Sequence, residues 1–214
     1  FVEMFNSVFG TLNALTKRGT EGEESGALSS DLTANTIKRK LRSLVSSELA
    51  GFGDSPRYLS ELGIRTERDG SLSLTESDFK KAFEREPILF DVMLNSIARS
   101  DNPLVSVSHE SDILQPKGAV YSFVGEDGDN AATLDGVALS GSTLADGTKK
   151  YTATTGDGMG LRFSVSGSVT SANVYYGESF MSKLESYVKE LVSSTGVLAK
   201  SEVQANTSIS EFND

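Results

Sequence analysis

The sequence contains no cysteine and no tryptophan, and only one histidine, His109. Without cysteine the chain cannot form disulfide bonds, thiolate nucleophiles or zinc–thiolate sites. A Ser-His-Asp triad would have to use His109, whose serine and acidic neighbours are adjacent only in sequence, and the nucleophile motif G-x-S-x-G is absent. We therefore expect His109 to be an ordinary surface residue and the protein not to be an enzyme.

Long apolar runs are missing as well. A membrane-spanning helix needs about 20 consecutive apolar residues, whereas the longest run here, 88–94, is interrupted by Asp91. No cleavable signal peptide is visible, because the start carries neither a basic segment nor an apolar stretch. Phe1 already lies in a helical pattern. We therefore expect a fragment of a longer chain, with no membrane as partner.

Basic residues are outnumbered by acidic ones, 20 to 30, which gives a net charge of −10 and a pI of about 4.7. Such a surface repels phosphate backbones and anionic membranes. The densest basic cluster occupies one short stretch: Lys38, Arg39, Lys40 and Arg42. Its spacing is typical of the solvated face of a helix, so we expect no nucleic-acid partner.

What the chain does contain is helical periodicity in its first hundred residues. The opening apolar stripe, with steps of four and three, predicts an amphipathic helix of coiled-coil spacing; it comprises Phe1, Phe5, Val8, Leu12 and Leu15. A second helix is expected to begin at Ser30 or Asp31, since either residue can cap its free N–H groups.

Two further helices are expected before residue 103. Thr75 should cap the first of them, with Asp78 in the capping-box position. The second should begin near Pro87 and extend through Phe90 and Leu94 to Ile97. Between these helices and the earlier pair, Asp69-Gly70 stands among alternating apolar residues, which predicts a β-hairpin over about 64–74.

The composition changes between residues 104 and 177, where glycine, serine, threonine and β-branched residues replace the helical period. Alternating segments predict strands at 105–108, 119–123, 161–165 and 172–176, separated by turn clusters. Helical spacing then returns from Glu178. The predicted fold is therefore α+β: an antiparallel helical bundle (1–103) with a hairpin, an inserted antiparallel β-rich domain (104–177), and a closing helix (178–214) that returns to the bundle.

Three patterns in the β-rich segment resemble ligand sites only weakly. Asp127, Asp129 and Asp135 could form a loose calcium site, but the EF-hand spacing fails because Ala132 and Ala138 stand at its key positions. The glycine-rich stretch 155–160 precedes a strand and has no nearby lysine, so it predicts a turn rather than a phosphate loop. Four tyrosines could serve a sugar site: Tyr121, Tyr151, Tyr175 and Tyr176. The sequence therefore predicts no catalytic residue, no metal ligand and no cofactor-binding residue.

Four segments, in order, resemble one known family: FVEMFNSVFGTLNALTK, LSSDLTANTIKRKLRSLVSS, LSELGIRTERDGSLSLTESDFKKAF and YYGESFMSKLESYVKELVSSTGVLAKS. They are similar to the C-terminal half of the flagellar hook-associated protein 2 family, the filament cap. The third is the most specific, with Thr75 where the family commonly has aspartate. Phe5 and Val8 also depart from the usual tyrosine and leucine. The resemblance covers 1–100 and 158–214 well and 104–157 loosely.

The resemblance implies a secreted, extracellular structural protein at the distal tip of the bacterial flagellar filament. It would form a ring-shaped homo-oligomer and promote flagellin incorporation for cell motility, without any cofactor. Its expected partners are copies of itself, flagellin and other hook-associated proteins, and coiled-coil legs would contact the filament end. Some family members also take part in cell adhesion. The alternative is therefore a secreted adhesin-type module that binds glycan or a host surface through the β-rich insert.

Overall fold

The computed structural model describes residues 1–20, 22–109, 116–128, 130–193 and 196. Within this part the chain has five helices, one short 3₁₀ helix and eleven strands, so the predicted α+β class is confirmed. The chain divides into two compact units. Among the described residues, the helical unit comprises those of 1–47, 58–87 and 180–196, and the strand unit comprises those of 48–57 and 88–179. The strand unit thus includes two segments that the sequence pattern groups with the helices.

The helical unit is built on α1 (Val2–Thr16), α2 (Leu32–Ser46), α3 (Glu76–Arg85) and α5 (Phe180–Val192). Asp31 caps α2 as expected, because its carboxylate accepts a hydrogen bond from the Ala34 N–H at 2.6 Å. Helix α1 packs against α2, and α2 packs against α5. The remainder of the predicted closing segment, after 193, lies outside the described residues except for Gly196.

The buried face of α1 differs from the predicted stripe. Phe5 and Phe9 are buried, and their rings stack with centroids 5.5 Å apart. Val8, which was expected on that face, is 52% exposed, whereas Phe9 is 1% exposed. The prediction was wrong at Val8 because the β-hairpin over 64–74 supplies the surface against which Phe9 packs.

The hairpin is confirmed. Strands β1 (Ile64–Thr66) and β2 (Leu72–Leu74) pair antiparallel, with Ile64 opposite Leu74 and Thr66 opposite Leu72. The turn closes through Glu67, whose N–H donates to the Ser71 carbonyl, and through Gly70, whose N–H donates to the Glu67 carbonyl. Gly70 has φ +91°, a conformation that glycine adopts without a Cβ penalty. The Asp-Gly pair therefore sets the register of the hairpin.

The predicted capping box of α3 does not form. Thr75 is the N-cap residue, but its side chain makes no capping hydrogen bond. Asp78 instead pairs with Arg65 of β1, at 3.3 Å between the carboxylate and the guanidinium. The carboxylate is therefore used to join α3 to the hairpin rather than to close the helix end.

In the strand unit, the predicted fourth helix is shorter than expected. Helix α4 spans Ile88–Leu94, and Ile97 begins strand β3 (Ile97–Ser100) instead of continuing the helix. β3 pairs antiparallel with β11 (Ser171–Gly177), with Ile97 opposite Gly177. The prediction failed at Ile97 because its helical spacing is local, whereas the strand that pairs with it lies far along the chain.

Two antiparallel sheets make up the rest of the strand unit. A five-stranded sheet has the order β3-β11-β5-β6-β7, and a four-stranded sheet has the order β4-β10-β9-β8. Their remaining strands are β4 (Val105–His109), β5 (Ala119–Val124), β6 (Thr133–Leu134), β7 (Val137–Ala138), β8 (Ser140–Thr143), β9 (Lys149–Thr152) and β10 (Leu161–Val165). All four predicted strands are present as β4, β5, β10 and β11, whereas β3 and β6–β9 were not predicted.

The chain passes from one sheet to the other at Leu139. The Leu139 N–H donates to the Ala132 carbonyl beside β6, whereas Ser140 already lies opposite Thr152 of β9. The two sheets therefore share one stretch of chain, and their inner faces enclose a common core. That core is dominated by aromatic and branched side chains: Val105, Tyr121, Phe123, Leu134, Tyr151, Leu161, Phe163, Val174 and Tyr176.

Candidate binding surfaces

The lone histidine packs inside the strand unit. His109 ends β4 and is partly buried, and its ring meets the Tyr176 ring edge-on, with centroids 5.1 Å apart. The expectation of an ordinary surface residue was therefore wrong, since the imidazole covers a core tyrosine. Its neighbours 110–115 lie outside the described residues.

The three aspartates of the weak calcium pattern have separate surroundings. Asp127 forms an isolated bridge with Asn130. The Asp135 carboxylate accepts a hydrogen bond from the Ser122 N–H at 2.7 Å, and Asp129 lies outside the described residues. In the described part of the chain, no group of three His, Cys, Asp or Glu side chains is placed to hold a metal ion. The glycine-rich stretch 155–160 forms a turn before β10, as predicted.

All four tyrosines of the possible sugar site are buried. Tyr121, Tyr151 and Tyr176 belong to the core between the sheets. Tyr175 lies on the opposite face of β11, where its hydroxyl donates to the Asp54 carboxylate at 2.9 Å and the Arg99 guanidinium lies 4.1 Å from the ring centroid. These rings therefore do not offer an exposed stacking platform to a sugar.

The basic cluster on α2 makes contacts within the helical unit. Lys38 donates to the Thr16 hydroxyl of α1 at 2.7 Å, and Arg39 donates to the Thr36 hydroxyl at 3.1 Å. The Arg42 guanidinium lies 3.5 Å from the Arg68 carbonyl in the hairpin turn. Lys38 and Arg42 thus help to hold α2 against α1 and the hairpin.

Asn6 attaches the hairpin to α1, and the sequence patterns missed this residue. Its side-chain amide donates to the Leu72 carbonyl at 2.8 Å, while its amide oxygen accepts from the Leu72 N–H at 2.7 Å. Asn13, two turns further along α1, donates to the Asp69 carbonyl at 3.1 Å. Asn6 and Asn13 are seven positions apart and so lie on the same face of α1. This spacing is the sequence feature that indicates a polar contact along that face.

Several helical apolar side chains face outward. On α1, Met4 is 73% and Val8 52% exposed, and on α5, Val192 is 69% exposed and Val188 nearly half exposed. Each pair is four residues apart, so each forms a short apolar row on its helix. Exposed apolar rows of this kind are candidates for packing against another chain.

The described part of the strand unit contains at least two cavities. The first, of about 410 Å³, is open and polar, and is lined by Asp101, Asn102, Pro103, Ser122, Ser171, Ala172 and Asn173. Its Asp101 carboxylate accepts hydrogen bonds from the Asn173 N–H and side-chain amide, both at 2.9 Å. The second, of about 230 Å³, lies between the β6–β7 turn and the loop before β10.

Comparison with known proteins gives one family and two curated relatives. The family described as "Flagellar hook-associated protein 2 C-terminus" matches residues 1–214. The lateral flagellar hook-associated protein 2 of Vibrio parahaemolyticus serotype O3:K6 (strain RIMD 2210633) is 32% identical over 95 residues, which is 44% of this chain and 20% of that protein. The A-type flagellar hook-associated protein 2 of Pseudomonas aeruginosa is 26% identical over 123 residues, 55% of this chain and 26% of that protein.

The matched segments therefore span about a fifth and a quarter of these two relatives. No solved structure matches the chain. None of the helices within the described ranges is sufficiently long and apolar to cross a membrane.

Proposed function

Because the chain belongs to the flagellar hook-associated protein 2 C-terminus family, we propose that it acts in the structural cap of the bacterial flagellar filament. In this role it is secreted, stands at the distal filament tip, and associates with copies of itself in a ring. The ring promotes incorporation of flagellin subunits and adjoins other hook-associated proteins. The observation that carries the proposal is the match to the family over all 214 residues.

The exposed apolar rows and the net charge of the chain both support self-association. The helical unit exposes apolar rows on α1 and α5, and burying such rows between copies would remove apolar surface from water. The net charge of −10 opposes close approach of two copies elsewhere, so contacts through uncharged side chains such as Met4 and Val8 are favoured. We further propose the three-part organisation 1–103, 104–177 and 178–214 as the arrangement of bundle, insert and closing helix within the cap.

A complementation experiment tests the cap function. A strain that lacks its hook-associated protein 2 is supplied with the full-length protein containing this chain, and filament length, swimming and flagellin in the medium are measured. We expect restored filaments and little free flagellin. Continued loss of flagellin monomers to the medium, with the protein exported at normal levels, would refute the proposal.

The alternative function is an adhesin-type module that binds glycan or a host surface through the strand unit. The open cavity favours it, because carboxylate, amide and hydroxyl groups of Asp101, Asn102 and Ser122 suit sugar hydroxyls. The burial of the four tyrosines weakens it. A glycan array that gives no binder for the chain, together with an Asp101→Asn variant that leaves adhesion of cells unchanged, would exclude this alternative.

A further inference from the structure

We propose that the smaller cavity of the strand unit binds a lysine side chain from a partner protein. The lining of the cavity combines buried apolar side chains with two aspartates, Asp135 and Asp157. This inference stands on the cavity alone and does not depend on the proposed cap function.

The floor of the cavity is apolar and rigid. Leu134, Leu139 and Ala153 are all buried, and Tyr121 completes the floor. The Tyr121 hydroxyl lies between the Lys117 and Asp157 carbonyl oxygens, 2.9 Å from the latter, so the loop is held against β5. Such a floor can cover the methylene groups of a long side chain and gain from their burial.

The wall of the cavity depends on a glycine. A Cβ placed at Gly158 would lie 2.5 Å from the Leu134 Cδ2 atom. A side chain at residue 158 would therefore have to displace the end of the Leu134 side chain, which forms part of the floor.

Two aspartates in the lining carry negative charge, and the carboxylate of one of them, Asp135, is held by the backbone. Asp135 has φ +49°, and its carboxylate is held by the Ser122 N–H at 2.7 Å. Asp157 stands on the opposite loop and also lines the cavity. Burial, together with the nearby Asp157 and Asp135 charges, raises the pKa of the Tyr121 phenol, which is consistent with a negative potential at the floor.

The chain itself shows that this acidic lining accepts an ammonium group. Lys117 Nζ lies 3.2 Å from the Asp157 carboxylate, and both side chains are about 70% exposed. An exposed pair of this kind contributes little to stability. A second ammonium can therefore displace Lys117 from Asp157 at small cost, while Asp135 provides a further carboxylate.

The size of the cavity narrows the ligand class. At about 230 Å³ it is below the roughly 300–1,000 Å³ of sites for drug-sized ligands. This volume suits a small group such as one extended side chain better than a nucleotide. An aliphatic stem ending in an ammonium matches the apolar floor and the two aspartates together.

The test titrates the isotope-labelled chain with cadaverine and with Nα-acetyl-lysine N-methylamide, followed by amide chemical shifts. 1,5-Pentanediol serves as the neutral analogue. We expect both amines to shift the Val137, Leu139 and Gly158 amides, and the diol not to do so. Cadaverine binding without binding of the capped lysine would overturn the assignment to a protein side chain, and equal shifts by the diol would overturn the charge requirement.

Matched variants locate the site. Asp135→Asn and Asp157→Asn keep the side-chain shape and should each weaken amine binding about 3- to 10-fold. Asp146→Asn, in another exposed Asp-Gly turn outside the cavity, should leave it unchanged. Lys117→Met should tighten binding about 2- to 5-fold, because the competing ammonium is removed. Equal effects of Asp146→Asn and Asp135→Asn, or weaker binding by Lys117→Met, would refute the proposal.

Discussion

Asn6 and Leu72, 66 positions apart in sequence, are joined by two hydrogen bonds between the Asn6 side-chain amide and the backbone N–H and C=O of Leu72. The amide of Asn6 presents a donor and an acceptor in the way that a neighbouring strand would. The hairpin thereby gains a partner for the edge of β2, and α1 gains a fixed position on the hairpin. This contact links the first and the third of the four segments that resemble the family.

Replacement of Asn6 by alanine should destabilise the helical unit. The substitution leaves the partly buried N–H and C=O groups of Leu72 without this partner, and we expect a loss of about 1–3 kcal/mol in the free energy of unfolding. Urea denaturation followed by circular dichroism measures it.

The matched control for Asn6 is Asn13→Ala, which removes a single exposed hydrogen bond to the Asp69 carbonyl. We expect it to cost less than about 1 kcal/mol. If both variants lost the same stability, the paired contact to Leu72 would have no special role.

Gly70→Ala should be more harmful than a typical glycine substitution. A Cβ at Gly70 would lie 2.5 Å from the Phe9 Cε1 atom, and the backbone has φ +91°. Backbone strain of about 1–2 kcal/mol is therefore joined by an overpacking cost of about 1–3 kcal/mol. Thermal and urea unfolding of the purified chain would report the sum.

Gly22→Ala provides the comparison, because Gly22 has φ +88° but nothing within 4 Å of its Cβ position. Gly22→Ala should therefore lower the free energy of unfolding by the backbone strain alone, about 1–2 kcal/mol. Equal losses for Gly70→Ala and Gly22→Ala would mean that the Phe9 ring moves aside freely.

The elements whose signals are local could be predicted from the sequence. The hairpin at Asp69-Gly70 and the cap at Asp31 depend on residues within a few positions of each other, and both form. Ile97 was misassigned because the strand that pairs with it, β11, is about 80 positions away. Val8 and Phe9 were exchanged because the hairpin, rather than helical spacing, decides which side of α1 is buried.

The binding surfaces were less accessible to prediction. The cavity near Asp135 and Asp157 is created by the turn after β6 and by a loop that precedes β10, and neither β6 nor its partner β7 has a sequence signal beyond the Asp-Gly turn. Short strands of two residues carry no readable alternation. β6 is positioned by its pairing with β5, about ten residues earlier, and β7 by its pairing with β6.

The buried tyrosines predict a loss of stability in alkali. Burial raises the pKa of Tyr176 to about 12, and burial with the neighbouring Glu126 raises the pKa of Tyr151 to about 12. In the unfolded chain these phenols ionise near pH 10. Their contribution to stability is therefore fully present below about pH 10 and is lost as the pH rises towards 12.

Urea midpoints measured between pH 9 and 12 test this prediction. Tyr176→Phe and Tyr151→Phe should each flatten the decrease with pH, because one ionisable phenol is removed. The variants are compared by the slope of the urea midpoint against pH. The absolute midpoint is not used, because loss of a hydroxyl contact changes it as well. Slopes equal to that of the unmodified chain would show that these phenols do not govern the alkaline transition.

The exposed row on α1 should affect association without affecting folding. Met4 and Val8 are 73% and 52% exposed, so Met4→Lys combined with Val8→Lys should change the free energy of unfolding by less than about 1 kcal/mol. If copies of the chain pack through this row, two lysines per copy would have to be buried or the contact abandoned. Sedimentation velocity over a hundredfold range of concentration should then show reduced self-association relative to the unmodified chain. The control is Leu32→Lys at the start of α2, which replaces another exposed apolar side chain (81% exposed) by lysine outside the row and should not produce the same loss. Unchanged association of the Met4 and Val8 double variant would place the contact between copies on another surface.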